Sequence, residues 1–207
     1  MAQKLLKRYE DGDRMNHWVI ALFFVLAGLS GLAFFHPALY FFTNLFGGGQ
    51  WTRILHPFLG LVMVVAFGVL FRKLWRDNVM NAADKEWSKH MGDMLRGDKS
   101  KMPPVGKYNA GQKRVFWAMS ISLAVLLVTG VMFWRPWFAP FFPVDVLRIA
   151  VLLHSVAAVV LVLSTVAHVY AAIWVKGTVR AMTRGTVTEG WAKANHALWH
   201  REVTGGK

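Results

Sequence analysis

The chain has 207 residues, 55% of them hydrophobic, with ten Trp, eleven acidic groups against 24 Lys and Arg, and no cysteine. That composition is typical of a membrane protein, and the missing cysteine excludes disulfides, thiolate metal sites and iron–sulfur ligation, so any metal centre must rest on histidine. The formal charge of +13 raises the question of a nucleic-acid partner, but the order of the charges along the chain argues against one.

Four stretches lack Lys, Arg, Asp and Glu: Trp18 to Phe35, Ile54 to Phe71, Val115 to Trp134 and Ile149 to Val175. Each reaches the 18 to 20 or so apolar residues that a spanning helix needs. The sequence therefore predicts an all-α membrane protein with one domain over 1–207 and spans at about 17–36, 54–75, 113–135 and 149–175. The opening MAQKLLKRYEDGDR mixes acids with bases, and the first apolar run is too long for a secretion signal, so this span is expected to stay as an anchor.

The connections between spans one and two, HPALYFFTNLFGGGQWTR, and between three and four, RPWFAPFFPVDVLR, are short and aromatic. Trp and Phe there suit a headgroup interface, and Pro and Gly break the helices. Between spans two and three lies a charged loop, 76–112, and after span four a basic tail, 176–207. Four of the 24 Lys and Arg precede span one, eleven lie between Arg72 and Arg114, and six follow span four. Such an asymmetry places both termini and the middle loop in the cytoplasm and attracts anionic lipid. Trp191 and Leu198 among the bases of the tail suggest that it lies along the inner surface.

Histidine carries the chemistry. Of eight, His36, His90, His196 and His200 fall at span ends, in the loop or in the tail, where solvated or interfacial rings are expected. The other four sit at span depth. His154 and His168 are fourteen residues apart, which on a helix is about 21 Å and about 40° short of four full turns, so they share one stripe. With the N-terminus inside, His17 lies at the inner depth of His168 and His56 at the outer depth of His154. Ionisable groups at membrane depth are functional candidates, and four at two matching depths fit bis-histidine ligation of two non-covalent haems, one per leaflet. The absence of any C-x-x-C-H sequence excludes covalent attachment. Gly31 follows His17 by the same fourteen residues, so it faces the stripe at the outer depth, where a missing side chain would let a macrocycle approach. Small residues also serve helix packing, the expected reason for Gly28, Gly60 and Gly68.

The stretch GKYNAGQK before span three supports two readings. Asn109 can cap a helix, with glycines freeing the turn. Alternatively Asn109 and Gln112 offer side-chain hydrogen bonds, and Gly111 a backbone N–H, to a quinone head group on the inner side.

Taken together, RMNHW around His17, TRILHPFLG around His56, VGKYNAGQK, LVTGVMFWRPWFA, the His154 and His168 pair and HVYAAIWVKG closely resemble the cytochrome b (gamma) subunit of membrane-bound respiratory formate dehydrogenases over nearly the whole chain. The resemblance implies a multi-pass protein of the bacterial inner membrane with two haem b groups, ligated by His17 with His168 (inner) and by His56 with His154 (outer). It implies a menaquinone or ubiquinone site at Asn109, Gly111, Gln112 and His168. It further implies an iron–sulfur (beta) subunit with its own membrane helix and a molybdenum or tungsten catalytic (alpha) subunit, both outside the cytoplasm, in assemblies that can be trimers of such heterotrimers. Formate oxidation would then occur on another subunit, and electrons would cross from the outer haem to quinone at the cytoplasmic side. Related cytochromes serve hydrogenases and thiosulfate or polysulfide reductases, and a haem-free four-helix scaffold is the remaining alternative.

Overall fold

The computed structural model describes residues 4–98, 100, 102–135 and 137–206. Lys99 and Lys101 of the charged loop, Pro136 of the second outer connection, residues 1–3 and the final Lys207 lie outside that set. Four long helices dominate: α1 (Asp11–Phe35), α2 (Gly49–Leu74), α5 (Ala110–Met132) and α6 (Val144–Trp174). All four are long and apolar enough to cross a membrane. A hydrocarbon slab offers no water to unpaired N–H and C=O groups, so an apolar run of this length closes its hydrogen bonds internally as helix. The chain divides into two compact units, residues 15–72 with 118–166, and the remainder.

The first unit holds most of each long helix, and its core takes one residue from each: Ala27, Met63, Leu123 and Leu161, with Phe23, Leu59, Met119 and Leu126 packed against them. Polarity is inverted relative to a water-soluble bundle. Ser30 and Thr52 are wholly buried, whereas Val65 is 68% and Leu163 63% exposed. Side chains that face lipid lose nothing by being apolar, while hydroxyls must turn inward to find partners.

All four helices start earlier than the charge-free stretches indicate: α1 at Asp11, α2 at Gly49, α5 at Ala110 and α6 at Val144. Charge marks where a helix enters the interface; it does not mark where the helix begins. A 3-10 helix, Pro37–Phe46, leads into α2; His36 Nδ1 accepts from the Ala38 N–H at its start, and Gly47, at φ +83°, closes it. Thr52 Oγ1 then donates to the Gly48 carbonyl at 2.8 Å. Pro57 sits inside α2 immediately after His56, and its missing N–H leaves the Arg53 carbonyl without an intrahelical donor.

The second unit is made from the N-terminal segment, the charged loop and the tail. Strand β1 (Leu5–Lys7) pairs antiparallel with β2 (Thr186–Thr188), placing Leu6 opposite Val187. The loop carries α3 (Ala82–Lys89) and α4 (Met91–Leu95); the tail carries α7 (Val179–Arg184), α8 (Glu189–Asn195) and α9 (Ala197–Thr204). Ala181, Val187, Trp191, Ala192 and Trp199 form its core, with Leu6 and Tyr9 against them. Trp191, read with Leu198 as facing the inner surface, packs inward beside Trp199, while Leu198 stays exposed.

Arg8 shows why the three segments hold together. Its guanidinium lies 4.5 Å from the Trp199 ring and 5.2 Å from Trp191, with Tyr9 and Tyr108 each at 5.9 Å. It also donates to the Lys107 carbonyl. Cation–π attraction strengthens when the site is dry, and Arg8 is 9% exposed. Tyr9 and Tyr108 share a hydrogen bond at 3.0 Å, and burial raises the Tyr108 phenol above its ordinary range.

His196 and His200 are buried here rather than solvated as expected. His196 Nδ1 lies 2.8 Å from the Gly106 carbonyl and His200 Nε2 lies 3.1 Å from Glu189 Oε1. Burial first, then the nearby Arg8 charge, lowers His196 to about 4. His36, by contrast, is exposed, and His90 links α3 to α4 within 3.3 Å of Asp93.

Candidate functional site

Helices α2 and α6 bring His56 and His154 together within the four-helix unit, with ring centroids 6.3 Å apart and ring planes at 68°. Each ring has a hydroxyl behind it on a neighbouring helix. Ser30 Oγ on α1 lies 2.8 Å from His56 Nδ1 and donates its own hydrogen to the Ala27 carbonyl at 2.9 Å. Thr129 Oγ1 on α5 lies 2.9 Å from His154 Nδ1 and donates to the Val125 carbonyl at 2.6 Å. A hydroxyl has one hydrogen, so in both cases Nδ1–H must be the donor to the hydroxyl oxygen. With the hydroxyl hydrogen on the backbone carbonyl, each Nε2 carries a lone pair and no proton, the form that binds a metal.

The adjacent glycines complete the pockets. A Cβ on Gly31 would stand 3.2 Å from His56 Cε1, and one on Gly130 would stand 3.2 Å from His154 Cε1. Gly31, expected to admit a macrocycle, makes room for the histidine ring itself. A Cβ at Gly28, Gly60 or Gly68 would meet nothing within 4 Å, so no close contact within this chain calls for glycine there. Phe133 abuts His154 edge-on at 5.1 Å.

The pair suits a haem better than a bare ion. Imidazole nitrogen binds a first-row metal at about 2 Å and the ring centroid lies about 1 Å behind it, so rings on opposite sides of one ion have centroids about 6 Å apart. The observed 6.3 Å fits that arrangement. Two imidazole nitrogens alone do not complete a metal's coordination, and the four nitrogens of a porphyrin would.

His17 lies on α1, partly buried and edge-on to Trp18 at 5.4 Å, and His168 lies on α6, exposed. They fall in different units of the chain.

The turn before α5 is a capping box. The Asn109 side chain accepts from the Gln112 N–H and the Gln112 side chain accepts from the Asn109 N–H, each at 2.9 Å. Both side-chain oxygens are thus committed to the helix start, and what each residue still offers is its amide NH2. Gly111 has a packing role as well: a Cβ there would lie 3.2 Å from Trp87 Cη2. Trp87 is brought by α3, which is tied to α5 by a buried ion pair between Asp84 and Lys113 at 2.7 Å. Lys113 also donates to the Val79 carbonyl at 3.0 Å.

Ser30, Thr129 and Gly130 belong to the site but escaped sequence reasoning. A signal was present: a hydroxyl residue followed by glycine precedes its histidine by a matching interval, 26 residues from Ser30 to His56 and 25 from Thr129 to His154. Asp84, Trp87 and Lys113 gave no comparable sign, because charges in a charged loop look alike until one pair is buried.

Comparison with known proteins gives the family. The cytochrome b556(fdo) subunit of formate dehydrogenase from Escherichia coli is 46% identical over 95% of this chain and 92% of its own length. The cytochrome b556(Fdn) subunit of the nitrate-inducible formate dehydrogenase of the same organism is 42% identical over 97% and 92%. The formate dehydrogenase cytochrome b556 subunit of Haemophilus influenzae is 39% identical over 94% and 82%. Residues 8–185 match the family described as prokaryotic cytochrome b561, which implies haem b. The chain belongs to this cytochrome b561 family and is a multi-pass protein of the bacterial inner membrane.

Proposed function

We propose that this chain is the membrane cytochrome b subunit of a formate dehydrogenase complex, conducting electrons from an iron–sulfur partner at the outer face to quinone at the cytoplasmic face. The observation that carries this reading is the facing pair His56 and His154 with both Nδ1–H groups tied back to hydroxyls. It is supported by the relatives, which are formate dehydrogenase subunits at 39–46% identity. The second pair, His17 with His168, rests on the fourteen-residue register along α6 and on the matching depth of His17 in α1.

His56 with His154, and His17 with His168, would hold the haems, which when bound would supply reversible one-electron transfer. The chain's own work is to bind and orient. Ser30 and Thr129 set the tautomer, Gly31 and Gly130 leave the rings room, and the aliphatic residues between His154 and His168 set the separation of the two centres. Basic residues in the loop and tail hold that side in the cytoplasm, against anionic lipid. A molybdenum or tungsten subunit oxidises formate, the iron–sulfur subunit reaches this chain by its own membrane helix, and such heterotrimers can assemble as a trimer.

The quinone head group is read at the start of α5. Its carbonyl oxygens would accept from the Asn109 and Gln112 amide NH2 groups and the free first-turn N–H of Gly111, with His168 beside it. Asn109→Asp with Gln112→Glu tests this well, since both acids keep the capping oxygens and lose the NH2 donors. In the assembled complex, formate-driven quinone reduction should fall at least tenfold while the haems stay fully reducible by formate. Unchanged quinone kinetics in that variant would sink the quinone site.

A further inference from the structure

The α1–α2 connection side of His56 holds a pocket that the ligand set does not use. It has a volume of about 540 Å³ and is lined by Phe34, Tyr40, Gly49, Gln50, Arg53 and Ile54. A second pocket of about 450 Å³ shares Phe34 and Tyr40 with it. The 3-10 helix gives the larger pocket Tyr40, and its other walls come from α1 and α2, about one turn beyond the residues that build the His56 site. On α1, Ser30 and Gly31 touch His56, and Phe34 follows. On α2, Arg53 precedes His56 by three residues, which is about 4.5 Å of rise and about 60° of rotation. Helical side chains lean toward the N-terminus, so Arg53 extends away from the ring and into this pocket.

Arg53 is the base on this side of the chain that lines the pocket; Arg135 lines neither pocket. Only three of the 24 Lys and Arg lie in the two connections on this side: Arg53, Arg135 and Arg148. Arg148 is paired with Asp145 at 3.1 Å. Arg53 has no carboxylate partner among the described residues; its guanidinium lies 6.0 Å over the Phe34 ring, which braces it. A guanidinium is permanently charged and presents a fork matched to a carboxylate, and Gln50 and Tyr40, which line the same pocket, carry further donors.

A haem b is an apolar disc with two propionate carboxylates at one edge, and Arg pairs with a carboxylate through two parallel charge-assisted hydrogen bonds. We propose that Arg53, with Gln50 and Tyr40, is a carboxylate-binding site for the propionates of the haem held by His56 and His154. This rests on the reading of those histidines as ligands, and it adds a site of opposite chemistry one turn away: a polar anchor that fixes the rotation of the disc and raises its affinity for an electron.

The experiment is a redox titration of the assembled, haem-loaded complex, followed optically, with resonance Raman of the propionate bending modes. Removing a cation disfavours the reduced state, so Arg53→Met should raise the oxidised-to-reduced ratio of one haem about tenfold at fixed ambient potential, 59 mV for one electron, and should leave the other haem unmoved. Arg53→Lys should recover most of that shift. Should Arg53→Met fail to assemble, Gln50→Leu with Tyr40→Phe carries the test, with a smaller shift in the same direction. Unchanged potentials and propionate modes at full haem content overturn the proposal, as does an Arg53→Met effect confined to co-purifying phospholipid, which would make the pocket a lipid phosphate site. His56→Ala separates the two levels: full haem content in that variant would overturn the ligand reading itself.

Discussion

Ser30 Oγ stands 2.8 Å from His56 Nδ1 while giving its own hydrogen to the Ala27 carbonyl, so the imidazole is the donor and its other nitrogen is left bare. Thr129 repeats this for His154 from a different helix. A hydroxyl on a neighbouring helix thereby decides which ring nitrogen keeps its lone pair. Replacing Ser30 by Ala or Thr129 by Val leaves a buried N–H unpaired, at about 1–3 kcal/mol, and frees the ring to turn. Partners of this kind are worth about 10–100-fold in metal affinity. Haem retained per chain during detergent dilution should drop by that order, at one centre only.

Gly31→Ala and Gly130→Ala probe the same pockets by bulk. The new methyl would stand 3.2 Å from a ring carbon, so the histidine must shift by a few tenths of an ångström. Overpacking of this kind costs about 1–3 kcal/mol. Each variant should broaden or shift the absorption of one haem, measured as a low-temperature difference spectrum, whereas Gly60→Ala, with open space around it, should leave both bands as they are.

How much of this was legible in the sequence depends on the length scale of the signal. Long apolar runs and charge asymmetry act over tens of residues, so the four helices could be read directly. His56 and His154 were legible because a titratable ring in an apolar run is conspicuous. Ser30 and Thr129 were not, since a hydroxyl inside a membrane helix usually bonds its own backbone, and both also do so here. The tail misled for a physical reason: bases mixed with Trp191 suggest an interfacial helix, but Arg8 and strand β1, almost the whole chain away, turn that Trp inward.

The Asp84–Lys113 pair gives a test of the loop. Its side chains are only 6% and 7% exposed, so removing one partner strands a buried charge, at about 3–5 kcal/mol. Lys113→Met should lower the unfolding temperature of the purified subunit sharply. Adding Asp84→Leu should restore most of the loss, measured as a double-mutant cycle by calorimetry.

Acid should loosen the tail from the N-terminal segment. His196 sits near 4 in the folded chain, below the ordinary histidine value of 6.5, because burial and Arg8 disfavour its charge. The unfolded chain then binds the extra proton, so stability is full above about 6.5 and is lost as pH falls toward 4, by about 3 kcal/mol in all. Limited proteolysis of the tail should accelerate across that window, and His196→Gln should flatten the dependence.

The account stands or falls on four histidines holding two haems. The most direct measurement is a reduced-minus-oxidised spectrum of the purified complex with haem counted per copy of this chain, taken for the wild type, His154→Ala and His168→Ala. Two haems are expected in the wild type and one in each variant, with formate still reducing the haem that remains in His168→Ala. A single haem in the wild type, or two in His154→Ala, would contradict it.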